Sequence, residues 1–324
     1  MTDPNRNISL VLGSGGARGL AQIGVIRWLE ERSDYTITSI AGASMGAVVG
    51  GIYAAGQLEA YEAWVRSLRR QDVWRLLDLS FSRAGLFRGE RVIEQLRTIL
   101  GDAAIEDLPI TFTAVATDLQ RKREVWLNSG SLYDAIRASF AIPMIFTPVR
   151  HEGRLLVDGG LLDPVPVGPT LTDSNDFTLA VSLSGRASQG PGTAGHESPL
   201  ASEASASPSE GLWNALPDWV GSWLEGWSEG VRMEPRDPQL SQAQEARALG
   251  FIDIISHSIE AMQGSITRFR MAAYDPDHLI EIPRDACGLL DFHRAEEMIA
   301  LGYELAEASL SKRVDEGQPG RGQR

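Results

Sequence analysis

The chain has one cysteine, Cys287, so no disulfide can close within it and no thiolate cluster can hold a metal. A reducing compartment fits that usage. Positive charge is also scarce: 30 Lys and Arg stand against 43 Asp and Glu, a formal charge of -13. This argues against nucleic acid as a partner, because phosphate contacts need clustered cations, and against simple electrostatic docking on strongly anionic membranes. No apolar run reads as a membrane span. The most hydrophobic stretch, Ile40 to Gly56, is dense in glycine and alanine and carries a serine. The amino-terminal residues Met1 to Asn7 are polar and lack the apolar core of a signal peptide. The chain therefore reads as cytoplasmic, with peripheral contact at the inner membrane surface as a variant of that placement.

What is present is ordinary globular material, 43% hydrophobic and 23% charged, enough to bury a core. Ile8 to Gly13 and Ile37 to Gly42 are short apolar runs ending in glycine, each followed by a helical pattern. Further strand candidates are Thr111 to Ala116, Leu155 to Val157, Phe177 to Leu183 and His278 to Ile282. The alternation predicts an α/β fold of three layers, α/β/α, around a mainly parallel central sheet. Residues 1–184 form the expected catalytic core. Residues 185–237 depart from it: a Gly/Ser/Ala/Pro-rich linker leads into a stripe containing Trp213, Trp219, Trp223 and Trp227 at helical spacing. Residues 238–312 are expected to complete the same domain, and 313–324 to be a disordered tail.

Chemistry concentrates in three short motifs. Gly42-Ala43-Ser44-Met45-Gly46 is a G-x-S-x-G sequence between a strand and a helix. That context exposes a serine hydroxyl on a sharp turn and aims the helix N-terminus at developing negative charge. Gly13-Ser14-Gly15-Gly16-Ala17-Arg18-Gly19 is a backbone-rich turn at the end of the neighbouring strand, whose amides suit an oxyanion hole. Within it Arg18 has three readings: it holds an anionic head group, braces the loop, or is a surface ion-pair residue. The turn is also half of a dinucleotide fingerprint, but Gly19 falls one residue late and no acidic residue closes the next strand. Asp158-Gly159-Gly160 ends an apolar run, placing a carboxylate at a strand's C-terminal edge. Taken alone it is a common Asp-Gly turn. None of the five histidines, His151, His196, His257, His278 and His293, has a recognisable catalytic setting. Ser44 also follows only the second strand, which is early for an α/β-hydrolase with a Ser-Asp-His order.

In their order along the chain, the glycine turn, the elbow, Ala138-Ser139-Phe140-Ala141-Ile142-Pro143 and Asp158-Gly159-Gly160 resemble the patatin-like phospholipase family. The resemblance is strong over roughly 8–167 and resumes over 252–310. It implies a serine lipid acyl hydrolase with a Ser-Asp dyad. Ser44 would be the nucleophile, and Asp158 the base within the Gly159-Gly160 turn. The oxyanion amides would come from Gly13 to Gly19, including Gly15, Gly16, Ala17 and Arg18. It implies no metal and no organic cofactor. A soluble esterase or thioesterase is the near alternative, and a non-catalytic regulatory protein that keeps the fold is the distant one. The tryptophan stripe is the largest departure from the family. Residues 187–231 hold six acidic residues and no Lys or Arg, so a lid, a transient membrane contact and a permanently packed helix all remain open readings.

Overall fold

The computed structural model describes residues 6–187 and 258–316, apart from Ser33, Asp78, Arg83, Ala84, Arg88, Gly89 and Met144. The linker and the tryptophan stripe lie outside the described residues. So do His196 and His257.

β1 (Arg6–Leu12), β2 (Tyr35–Ala43), β5 (Thr111–Asp118), β9 (Phe177–Gly185) and β10 (His278–Pro283) form a parallel array in the order β10-β9-β1-β2-β5. β1, β2, β5 and β9 bury side chains on both faces, as strands covered on two sides require, while the edge strand β10 buries Ile280 and Ile282 on one. Leu10 and Leu12 of β1 enter the main core, while Val11 between them enters a smaller cluster with Val165, Val167 and Ala180. Two helical layers cover these faces. On the main side α1 (Ala21–Glu30) packs against α8 (Ala295–Glu316), with α2 (Met45–Ala54) beside them. On the other side the smaller cluster is capped by Met271 and Tyr274 of α7, residues 258–274.

All six expected strands are present, but the sheet is mixed. β6 (Arg123–Leu127), β7 (Val149–His151) and β8 (Arg154–Asp158) run antiparallel to their neighbours, because short turns rather than crossover helices join β5 to β6 and β7 to β8. A small hairpin, β3 (Leu79–Ser82) with β4 (Gly85–Phe87), sits between α4 (Arg70–Leu77) and α5 (Glu90–Leu100), after α3 (Leu58–Ser67). The final helix ends at Glu316, inside the stretch expected as tail. Among the described residues no helix is long and apolar enough to cross a membrane.

One feature of the topology positions the site. β5 pairs with β2 over residues 111–115 and with β8 over residues 116–118, while β6 pairs with residues 114–118. A strand has two edges. With β6 on one, β2 and β8 must share the other, and because they run in opposite senses their C-terminal ends meet. Ala43 lies opposite Val115 and Asp158 opposite Ala116.

Candidate active site

Ser44 follows directly on Ala43 at that junction. It has φ 55 and ψ -122, and it caps α2, whose Ala47 and Val48 amides donate to the Ser44 carbonyl. A non-glycine residue held there stores about 1–3 kcal/mol of backbone strain, and the surrounding fold must supply it. The chain turns this sharply because its neighbours are small: a Cβ on Gly46 would fall on the Leu12 carbonyl of β1, and one on Gly42 on the backbone of Gly46. Ser44 is 1% exposed and Asp158 3%.

Asp158 presents its carboxyl to Ser44. Oδ1 accepts the Gly160 N–H at 2.7 Å. Oδ2 is buried and, among the described residues, completes no hydrogen bond of full geometry, which leaves a lone pair beside the serine hydroxyl. Burial pushes the acid up to about 7, against the smaller opposing effects of Ser44 and the Gly160 amide. The Asp158 turn can sit this close only because residue 159 is glycine, since a Cβ there would strike the Val115 carbonyl.

The glycine turn packs on the other flank, and a Cβ on Gly160 would meet Ser14 Oγ. Three of its amides are already committed: Gly13 donates to Val181 O at 3.0 Å, Ser14 to Pro164 O at 2.7 Å and Ala17 to Leu289 O at 2.9 Å. The amides of Gly15 and Gly16 have no backbone acceptor among the described residues. Gly19 touches Met45 of the elbow. Arg18 braces the loop and is not a surface residue. Its side chain is buried, with Nη1 donating to Arg284 O at 2.8 Å and Nη2 paired with Glu260 Oε1 of α7 at 2.8 Å. Those bonds tie the glycine turn to Arg284, just past β10, and to α7.

Several residues that hold the site gave little or no signal in the sequence. Ser139, at the end of α6 (Leu132–Ser139), donates its hydroxyl to Val115 O at 2.6 Å and accepts the Ser44 N–H at 2.9 Å. Two residues on, the Ala141 carbonyl accepts the Asp158 N–H at 2.9 Å. Gln263 of α7 donates to Gly160 O at 3.0 Å, and Gln22 of α1 donates to Gly13 O at 2.8 Å. The Ala138 to Pro143 motif was visible, but which of its atoms mattered was not. Gln263 is over a hundred residues from Asp158, and no spacing rule points to it. His278 starts the edge strand β10, three strands from β2, and bonds Ser309. His151 ends the edge strand β7, and His293 lies in a single turn (Phe292–Arg294).

An apolar cavity with about 640 Å³ of empty space, its mouth included, opens beside the elbow. Gly16, Met45 and Phe140 form the wall next to the site, and Tyr61, Val65 and Leu96 the far wall on α3 and α5.

A family model, Patatin-like phospholipase, matches residues 10–171, the stretch that carries the glycine turn, the serine elbow, the Ser139 segment and the Asp158 turn. The chain belongs to that family. Membership places this patatin-like protein among lipid acyl hydrolases. It is 41% identical to an uncharacterized NTE family protein of Mycobacterium tuberculosis, over 94% of this chain and 91% of the relative. It is 29% identical to lysophospholipase nte1 of Emericella nidulans and 30% to that of Aspergillus niger, in each case over 96% of this chain but only 18% of the relative. This chain thus corresponds to under a fifth of those fungal proteins. The crystal structure of VipD from Legionella pneumophila matches over 95% of this chain and 67% of that one, with a TM-score of 0.41 and 15% identity.

Proposed function

We propose that the protein hydrolyses the acyl ester of a single-chain lipid, a lysophospholipid or related monoacyl ester, through an acyl-enzyme on Ser44. The observation that carries this reading is a buried carboxyl titrating near 7 against a serine on a strained elbow, beside an apolar cavity. A carboxylate with that pKa is half ionised at neutral pH and strong enough to take a hydroxyl proton, as a general base should be. The monoacyl choice draws on the lysophospholipase names of the fungal relatives, and the apolar cavity adjoining the elbow offers room for an acyl chain.

The chemistry then runs in two balanced halves. Ser44 Oγ attacks the ester carbonyl while its proton passes to Asp158 Oδ2. The carbonyl oxygen gains charge between the Gly15 and Gly16 amides, with the N-terminal turn of α2 adding its dipole. The C–O bond to the alcohol breaks and the alcohol leaves with the proton from Asp158. Water next gives a proton to Asp158 and its oxygen to the acyl carbon. Collapse releases the fatty acid and returns the proton to Ser44. Removing one oxyanion donor of this kind typically costs about 3–4 kcal/mol.

A fluorophosphonate probe tests the nucleophile: wild type should label and Ser44→Ala should not. A lipid panel with product identification tests the substrate, with monoacyl phospholipids cleaved to free fatty acid. Failure of wild type to label overturns the dyad. Cleavage of short soluble esters with no action on lipid aggregates would instead mark a soluble esterase.

A further inference from the structure

The nucleophile and the base are carried by strands that do not pair with each other, so something besides the sheet must hold them in register. A parallel ladder continued one residue beyond the Ala43–Val115 pair would join the Ser44 N–H to the Val115 carbonyl. The elbow turns away before that rung forms, and the Ser139 hydroxyl stands in the gap. A carbonyl can only accept, so the hydroxyl must donate to Val115 O, at 2.6 Å, and its lone pair takes the Ser44 N–H, at 2.9 Å. The roles are fixed without ambiguity. Ser139 is 0% exposed, so no solvent replaces it. Two residues later the same segment takes the Asp158 N–H on the Ala141 carbonyl.

Resting on the Ser44–Asp158 reading above, we infer that Ser139 is a positioning residue: its hydroxyl, inserted as a rung between β5 and the elbow, holds Ser44 in its strained conformation facing Asp158. It touches neither substrate nor the transferred proton. It acts by fixing the backbone from which Ser44 Oγ projects, with Ala141 fixing Asp158 from the same turn.

The test compares Ser139→Ala with Ala138→Gly, a neighbouring 0% exposed site whose truncation loosens the same helix end while keeping the Ser139 hydroxyl. Fluorophosphonate labelling, kcat and KM on a monoacyl phospholipid, and hydrogen exchange at the Ser44 amide are read together. Ser139→Ala should remain folded, label and turn over roughly 10²-fold more slowly at nearly unchanged KM, the scale expected for a small misplacement of a reacting group. Its Ser44 amide should exchange at least about tenfold faster, having lost its acceptor. Ala138→Gly should leave labelling and exchange near wild type. If Ser139→Ala does not fold, Ser139→Cys, which keeps the shape but weakens both bonds, carries the comparison. Wild-type labelling and exchange in the Ser139 variant would overturn the inference, as would a loss matched by Ala138→Gly. If wild type itself fails to label, the dyad reading falls, while the amide exchange still decides whether Ser139 holds the elbow.

Discussion

At the scale of single residues, Asp158 ties activity and stability to pH in opposite directions. Its carboxyl must be ionised to accept a proton, so kcat/KM should fall about tenfold per pH unit below a midpoint near 7, and a profile flat from pH 5 to 8 would refute the assignment. Stability runs the other way. The folded-state pKa is about 7 against an ordinary 3.8, so the folded chain binds the proton more tightly than the unfolded one. That contribution is full below about pH 4 and is lost as pH rises through 7, a swing on the order of 4 kcal/mol at about 1.36 kcal/mol per pKa unit. Asp158→Asn should therefore lower kcat/KM by about 10²- to 10⁴-fold. Thermal melts should show the same variant more stable than wild type at pH 8, with the difference gone near pH 4. Ser44 and Asp158 were both visible in the sequence because their motifs bracket strand ends. Ser139 was seen only as part of a motif, since a hydroxyl that bridges two backbones leaves no periodic trace.

At the scale of elements, α2 does two tasks: its first turn follows the nucleophile and its second lines the cavity through Val48. Val48→Phe should fill the inner end of that cavity. Rates on long acyl chains should drop by about tenfold or more while short esters are spared, and a uniform loss across chain lengths would remove the acyl role of the cavity. Gly159→Ala probes the other side, because its Cβ meets the Val115 backbone, which cannot yield as a flexible side chain can. It should cost both activity and folding stability, about 1–3 kcal/mol by denaturant unfolding, as overpacking does. The parallel strands were readable because strands covered on two faces are continuous apolar runs. β6 and β7 were not, because short edge strands carry half-exposed residues such as Trp126 and resemble loops.

At the scale of the whole molecule, α7 links the separate turns of the site. Glu260 pairs with Arg18 of the glycine turn, Gln263 bonds Gly160, and Arg270 joins Glu124 at 2.5 Å and the fully buried Asp163 at 3.0 Å. Burial pushes Asp163 above the usual carboxylate range, so removing its cation leaves an uncompensated acid in the interior. Arg270→Met should destabilise the fold by about 3–5 kcal/mol in urea unfolding. None of these pairings could be read from the chain, because each joins segments more than a hundred residues apart. Trp213, Trp219, Trp223 and Trp227 are known from sequence alone. Deleting 212–230 should weaken hydrolysis of vesicle or micelle lipids while sparing short esters, and equal loss on both would end the interfacial reading.

The head-on meeting of β2 and β8 makes β5 a ruler. The spacing of nucleophile and base is set by the single step from Val115 to Ala116 in a strand that carries neither. One strand residue spans about 3.3 Å, so a bulge at that step would open the pair by the width of a hydrogen bond while leaving every motif in the sequence intact. A chain can therefore keep all the signatures of this chemistry and still lack it, through a change at a position no motif search would inspect.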